Sequence, residues 1–136
     1  MKTILVYYSW SGHTAQLAKA KAEKEGARLV EVKDSKKPGP LKAYTAGCIA
    51  ALRMNPAPIL PLGIALDDYD KIIIMSPVWA GHPAPAVNSV FTLLPSGKNV
   101  EMIMVSASGS CRCREKIQAC LSAKGCVLAS FTNVKS

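Results

Sequence analysis

Three short stretches of this 136-residue chain gather groups that bind well but do little acid–base chemistry. They are Ser9-Trp10-Ser11-Gly12-His13-Thr14, Ser76-Pro77-Val78-Trp79-Ala80-Gly81-His82 and Ser106-Ala107-Ser108-Gly109-Ser110. Each follows an apolar run, each is rich in hydroxyls and glycine, and none contains a carboxylate. Two of the three carry a tryptophan. Hydroxyls, backbone amides and an indole are the parts of a binding site whose ligand brings its own reactivity.

The first stretch gives way to an Ala-rich segment with helical spacing, so it opens a helix. Backbone N–H groups there lack intrahelical partners, the helix dipole adds positive potential, and Ser or Thr hydroxyls complete a cage for phosphate. A plain helix cap uses the same residue types, so this loop taken alone leaves both readings open. The spacing matches neither the G-x-x-x-x-G-K-[ST] nor the G-x-G-x-x-G phosphate signature. Trp79 adds to the first reading. A large aromatic just past a buried strand, between Pro77 and Gly81, is placed to lie against a planar ring. Together the three loops suit a ligand with a phosphate at one end and an aromatic ring at the other.

Something must hold these loops side by side. Residues 3–8 form an uncharged, β-branched run, the pattern of a strand buried on both faces. Residues 13–25 read as a helix with Ala15, Ala18 and Ala22 on one face and Gly26 at its end. An edge strand is expected at 28–32 and a second helix at 41–53, with Leu41, Tyr44, Cys48 and Leu52 at helical spacing. Further strands are expected at 71–75, 100–105 and 127–131. A helix opened by Pro83 and Pro85, with Val87, Val90, Phe91 and Leu94 inward, and another at 110–123 separate them. Strands alternating with helices of this length require parallel pairing through right-handed crossovers. The expectation is one domain, 1–136, built as a single open, doubly wound, parallel five-stranded α/β sheet. Ligands of such sheets bind beyond the carboxyl ends of the strands, where all three loops fall.

These loops carry a family resemblance. Tyr8-Ser9-Trp10-Ser11-Gly12-His13-Thr14 resembles the Y-S-x-[ST]-G-N-T first loop of short flavodoxin-like proteins, and residues 69–91 and 96–110 resemble the family's second and third loops with their strands. The resemblance implies strand order 2-1-3-4-5 and FMN as cofactor. It implies that Ser9, Ser11, Gly12, His13 and Thr14 hold the phosphate, with Trp10 alongside. Pro77, Val78, Trp79, Ala80 and Gly81 would line the isoalloxazine, and Ser106, Ala107, Ser108 and Gly109 would contact its pyrimidine edge. The implied function is electron transfer to a partner protein or a small acceptor. The alternative is a flavodoxin-fold interaction module that has lost FMN.

The chain departs from the family pattern in four ways. His13 replaces an asparagine, and the third loop lacks an aromatic. The net charge is +8 where electron-carrier flavodoxins are acidic, and Arg112, Arg114 and Lys116 follow the third loop. Cations near an anionic reduced flavin imply a less negative reduction potential and a preference for acidic partners. After Phe131 only Thr132 to Ser136 remain, leaving no room for the usual fifth helix. Alternate residues of strands 71–75, 100–105 and 127–131 are therefore expected to face water unless a second subunit or a partner covers them. The sequence shows no signal peptide or apolar span, no aromatics among the cations from Lys19 to Lys37 and an odd count of five cysteines. Those features lead to the expectation of a cytoplasmic protein that binds neither membrane nor nucleic acid and keeps its thiols reduced. No catalytic acid, base or metal ligand set stands out.

Overall fold

The computed structural model describes residues 2–10, 12–35, 48–108, 111 and 113–135. Its strands are β1 (Thr3–Tyr7), β2 (Arg28–Glu31), β3 (Lys71–Trp79), β4 (His82–Pro83), β5 (Asn99–Ser106) and β6 (Val127–Lys135). Its helices are α1 (His13–Glu25), α2 (Cys48–Leu52), α3 (Pro85–Leu93) and α4 (Arg114–Ala123), with a 3-10 turn at Leu66–Asp68. The main sheet runs β2-β1-β3-β5-β6 with every neighbouring pair parallel. Setting aside β4, which pairs antiparallel with the end of β3, this is the expected 2-1-3-4-5 order.

Side-chain alternation splits the apolar residues into two layers. Ile4, Val6, Ile72, Ile74, Val100, Met102 and Met104 face α3 and α4, packing with Val87, Val90, Phe91, Ile117 and Leu121. Leu5, Tyr7, Ile73, Met75, Ile103 and Val105 face the other way, with Ala18 and Ala22 of α1. Small residues on α1 let it lie close to the sheet. Gly26 closes the helix at φ 63°, its N–H reaching Ala22 and Glu23 carbonyls.

Several boundaries differ from expectation. β3 runs on to Trp79, because its last two residues gain an antiparallel partner in β4. β6 continues to Lys135, and a register shift lets it follow β5 to the end: Leu128 faces Val100, while Ser130 faces Glu101. α4 begins at Arg114, since Cys113 takes the N-cap position. Of the helix expected at 41–53 only its last part, α2, lies within the described residues; Leu41, Tyr44 and the Cys48 and Leu52 side chains lie outside them.

The expectation of a bare sheet face holds on the outer strand, where Val127 is 60% exposed and Ala129 is exposed, but needs correction for β3 and β5. No helix follows β6 among the described residues, yet Ile73, Met75, Ile103 and Val105 are each no more than 4% exposed. Their cover comes from two sides. Leu17 of α1 and Val134 of the extended β6 pack against this layer. Above it lies an ionic lattice: Lys21 Nζ reaches Glu25 at 3.1 Å and Glu101 at 3.4 Å, and Lys71 Nζ reaches Glu101 at 3.1 Å. The aliphatic stem of a lysine shields apolar surface while its ammonium stays at the water boundary. What remains is a groove of about 220 Å³ floored by Met75 and Ile103 and walled by Leu17, Thr132 and Val134.

Candidate functional site

The chain leaves β1 through Tyr8, whose N–H donates to Met75 O at 3.1 Å. The Tyr8 ring is 3% exposed, and its hydroxyl donates to Asp34 Oδ2 at 2.7 Å. Burial first, then the hydrogen bond and the charge of Asp34, push the phenol far above its ordinary pKa. Tyr8 therefore stays a neutral donor that ties the end of β1 to the segment after β2.

The next residues make the first loop. Ser9 Oγ accepts the Gly12 N–H at 2.9 Å, which folds the loop back on itself. Gly12 is the N-cap of α1 with φ 97°, a conformation L-residues avoid. Beyond its chain neighbours, a Cβ built there would find no atom within 4 Å, so the space beside Gly12 is open. Among the described residues no side chain caps α1. Its first hydrogen bond, Gln16 N–H to Gly12 O at 3.3 Å, starts beyond an exposed His13 and a buried Thr14. Ser11 lies outside the described residues.

The second loop is the β3–β4 hairpin. Ala80 at φ 51° and Gly81 at φ 79° form the two-residue turn between Trp79 and His82. Two successive positive φ values are the signature of a type I′ hairpin. Fully buried Ser76 anchors the hairpin base: its Oγ accepts the Ala84 N–H at 3.0 Å and donates to Pro77 O at 2.9 Å. Pro77, Val78 and Trp79 are half-buried, and Ala80 is exposed. Trp79 meets Trp10 at 5.9 Å between ring centroids with planes at 86°, and Tyr8 at 6.2 Å with planes at 74°. Both contacts are edge-to-face, so neither neighbour lies parallel over a face of the Trp79 indole.

Two further groups brace this hairpin. His82 Nδ1 lies 3.0 Å from Ala80 O and its Nε2 lies 3.0 Å from Lys116 Nζ. An ammonium only donates, so Nε2 accepts and the proton sits on Nδ1, donating to the carbonyl. Cys111 and Cys113 are joined by a disulfide, and Cys111 Sγ rests 2.9 Å from Gly81 O. The expectation of reduced thiols fails for this pair; Cys120 and Cys126 are free.

The third loop continues from β5, with Ser106 Oγ 3.4 Å from Ser108 Oγ and with Ala107 and Ser108 exposed. Gly109, Ser110 and Arg112 lie outside the described residues. Tyr8–Asp34 and His82–Lys116 carry no motif. The hairpin turn is Ala80-Gly81, not one of the Asn-Gly, Asp-Gly or Gly-Gly pairs that mark such turns in a sequence.

All three loops leave carboxyl ends of adjacent strands, β1, β3 and β5, where the chain switches direction across the sheet. The start of α1, a pair of indoles and a serine-bearing edge thus share one rim. Among the described residues no three His, Cys, Asp or Glu side chains gather to hold a metal, and no helix is long and apolar enough to cross a membrane.

No protein-family model and no curated protein matches the sequence. Solved structures do. A flavoprotein of Lactobacillus acidophilus in complex with FMN superposes with a TM-score of 0.77 at 25% identity, over 96% of this chain and 91% of that one. The two-electron reduced flavodoxin of Megasphaera elsdenii gives 0.61 at 17% identity, over 97% and 85%. A flavodoxin from the domain Archaea gives 0.57 at 16% identity, over 99% and 85%. In topology and strand order the chain has a flavodoxin-like α/β fold.

Proposed function

We propose that this protein binds FMN at the rim of β1, β3 and β5 and works as a flavin-based electron carrier. The observation that carries this reading is the start of α1, where Gly12 stands at φ 97° with open space beside it and, among the described residues, no side chain caps the helix. That is a cradle for an anion: backbone N–H groups and the helix dipole favour a phosphate, and a Cβ would intrude on it. The neighbouring half-buried Trp79 suits the ring at the other end of the same ligand.

In this reading Ser9, Gly12, His13 and Thr14, with Ser11, hold the phosphate. Ser9 does so indirectly, by fixing Gly12 through the 2.9 Å bond. Pro77, Val78, Trp79, Ala80 and Gly81 flank the isoalloxazine, and Ser106, Ala107, Ser108 and Gly109 meet its polar edge. Bound there, FMN supplies the electron-transfer chemistry; the chain supplies orientation, exclusion of water and electrostatics. Lys116, hydrogen-bonded to His82, places a cation directly behind the hairpin. A fixed positive charge there favours the anionic reduced cofactor and an acidic protein partner or a small anionic acceptor. The same reading has the protein in the cytoplasm.

The test is titration of the apo-protein with FMN, followed by flavin fluorescence. Saturable quenching is expected, with affinity roughly 2- to 12-fold weaker in Trp79→Ala, since an aromatic pair is worth about 0.5–1.5 kcal/mol beyond its buried area. Absence of binding at tens of micromolar FMN overturns the proposal.

A further inference from the structure

The bridge between Cys111 and Cys113 has no place in the flavin site as described, and its position invites another use. We propose that this pair is a second redox centre, a reversible disulfide that exchanges electrons with external thiols of the dithiol or glutathione class.

The two sulfurs are unequal. Cys111 is half-buried at the rim, whereas Cys113 is fully buried at the N-cap of the ten-residue helix α4. The Cys113 carbonyl accepts the Ile117 N–H at 3.0 Å, and among the described residues no side chain caps this helix. An incoming thiolate therefore reaches Cys111 and not Cys113. Its attack on Cys111 Sγ forms a mixed disulfide, and the S–S electron pair departs on Cys113. That leaving sulfur sits at a helix N-terminus, a position that stabilises a thiolate. Arg114 and Lys116 in the first turn add positive charge, against one opposing carboxylate at Glu115. A second external thiolate attacks the external sulfur of the mixed disulfide and releases Cys111. Two thiols lose two electrons and two protons and become one disulfide; Cys111 and Cys113 take them up as two thiols.

The pair is also poorly suited to be a structural staple. Only one residue separates its cysteines, and the constraint a bridge places on the unfolded chain grows with the loop it closes. Cys113 itself belongs to the buried apolar layer facing α3 and α4, and Cys111 packs against that layer. The Cα atoms stand 5.8 Å apart, a spacing that accommodates the bridge. Moreover, Cys111 Sγ lies 2.9 Å from Gly81 O, so opening the bridge gives that sulfur an S–H facing a carbonyl of the hairpin turn. The state of the pair is thereby communicated to the turn beside Trp79.

The experiment uses the full chain without FMN, so that its outcome is separate from the flavin reading. Wild type, Cys111→Ser and Cys113→Ser are incubated with oxidised glutathione, and adducts are located by peptide mass mapping. Circular dichroism verifies that each variant is folded. Wild type is expected to carry the 111–113 bridge and to lose it to dithiothreitol under native conditions. Cys113→Ser is expected to take glutathione at Cys111 at least tenfold faster than Cys111→Ser takes it at Cys113. A bridge that never forms, one that opens only in denaturant, or equal adduct rates in the two variants would each overturn the proposal.

Discussion

The Tyr8 hydroxyl offers a sharp test of how the first loop is held. Tyr8→Phe removes one hydrogen bond, 2.7 Å long, from a buried phenol to the half-buried Asp34 carboxylate. Bonds to charged groups contribute about 1.5–3 kcal/mol. Water reaches the half-buried carboxylate, so screening trims the expectation to about 1–2 kcal/mol near pH 8. The pH dependence identifies the cause. In the folded chain burial and Asp34 raise the Tyr8 pKa, whereas the unfolded phenol titrates near 10. A raised folded pKa means the contribution is complete below pH 10 and is lost as pH rises above it. At pH 11 the unfolded chain has released this proton and the folded chain has not, which costs wild type about 1.4 kcal/mol. The phenylalanine variant has no such proton to lose. Urea unfolding at pH 8 and pH 11 should therefore show wild type and variant converging to within about 0.5 kcal/mol at the higher pH. Tyr7, raised by burial and by Glu31, titrates in both proteins and cancels. A gap of constant size at the two pH values would refute the reasoning.

Three other substitutions probe the site and the sheet. Gly12→Ala forces an L-residue to φ 97° and should cost the apo-protein about 1–2 kcal/mol, a fall of roughly 4–7 °C in Tm by calorimetry. It should weaken FMN binding as well, because its Cβ enters the open space before α1. Ala80→Gly should raise stability by about 0.5–1 kcal/mol in urea unfolding, since glycine accepts φ 51° without strain. Glu101→Gln strips the shared anion from Lys21 and Lys71; a loss of about 1 kcal/mol at low salt should shrink markedly in 1 M NaCl.

The central strands were legible because burial on both faces leaves no room for charge. Ile72-Ile73-Ile74 and Met102-Ile103-Met104 read as strands from composition alone, and the helices between them impose parallel order. The ends of β3 and β6 were not legible, for different reasons. Pro77 marks a break in most strands, yet here the chain stays extended through it because Val78 and Trp79 find partners in Pro83 and His82. Residues 132–135 mix polar and apolar side chains, as an edge strand does when one face is solvated. The register shift at Val100/Glu101 that keeps them in line with β5 leaves no mark on hydropathy.

The covered sheet face shows where counting helices falls short. A strand face without a helix is expected to be wet, but exposure depends on what side chains reach, and Lys21 reaches from α1 across to Glu101 on β5. Two opposite charges far apart in the chain, one on a helix and one inside a strand, carry no spacing signal that would announce the pair. The same limit applies to the bridge at the rim. An odd number of cysteines argues against a disulfide framework, yet it is silent about one local pair whose partners are two residues apart. The first loop, by contrast, could be singled out because its signal is local: a phosphate site of the kind proposed keeps its glycine and hydroxyls within a few residues of one helix start. What the structure adds is how the first loop and the hairpin are braced, the one through Ser9 to Gly12 and Tyr8 to Asp34, the other through His82 to Lys116. Each brace joins residues whose relation exists only after the sheet has formed, apart from the first, which is also the only one lying inside a recognisable motif.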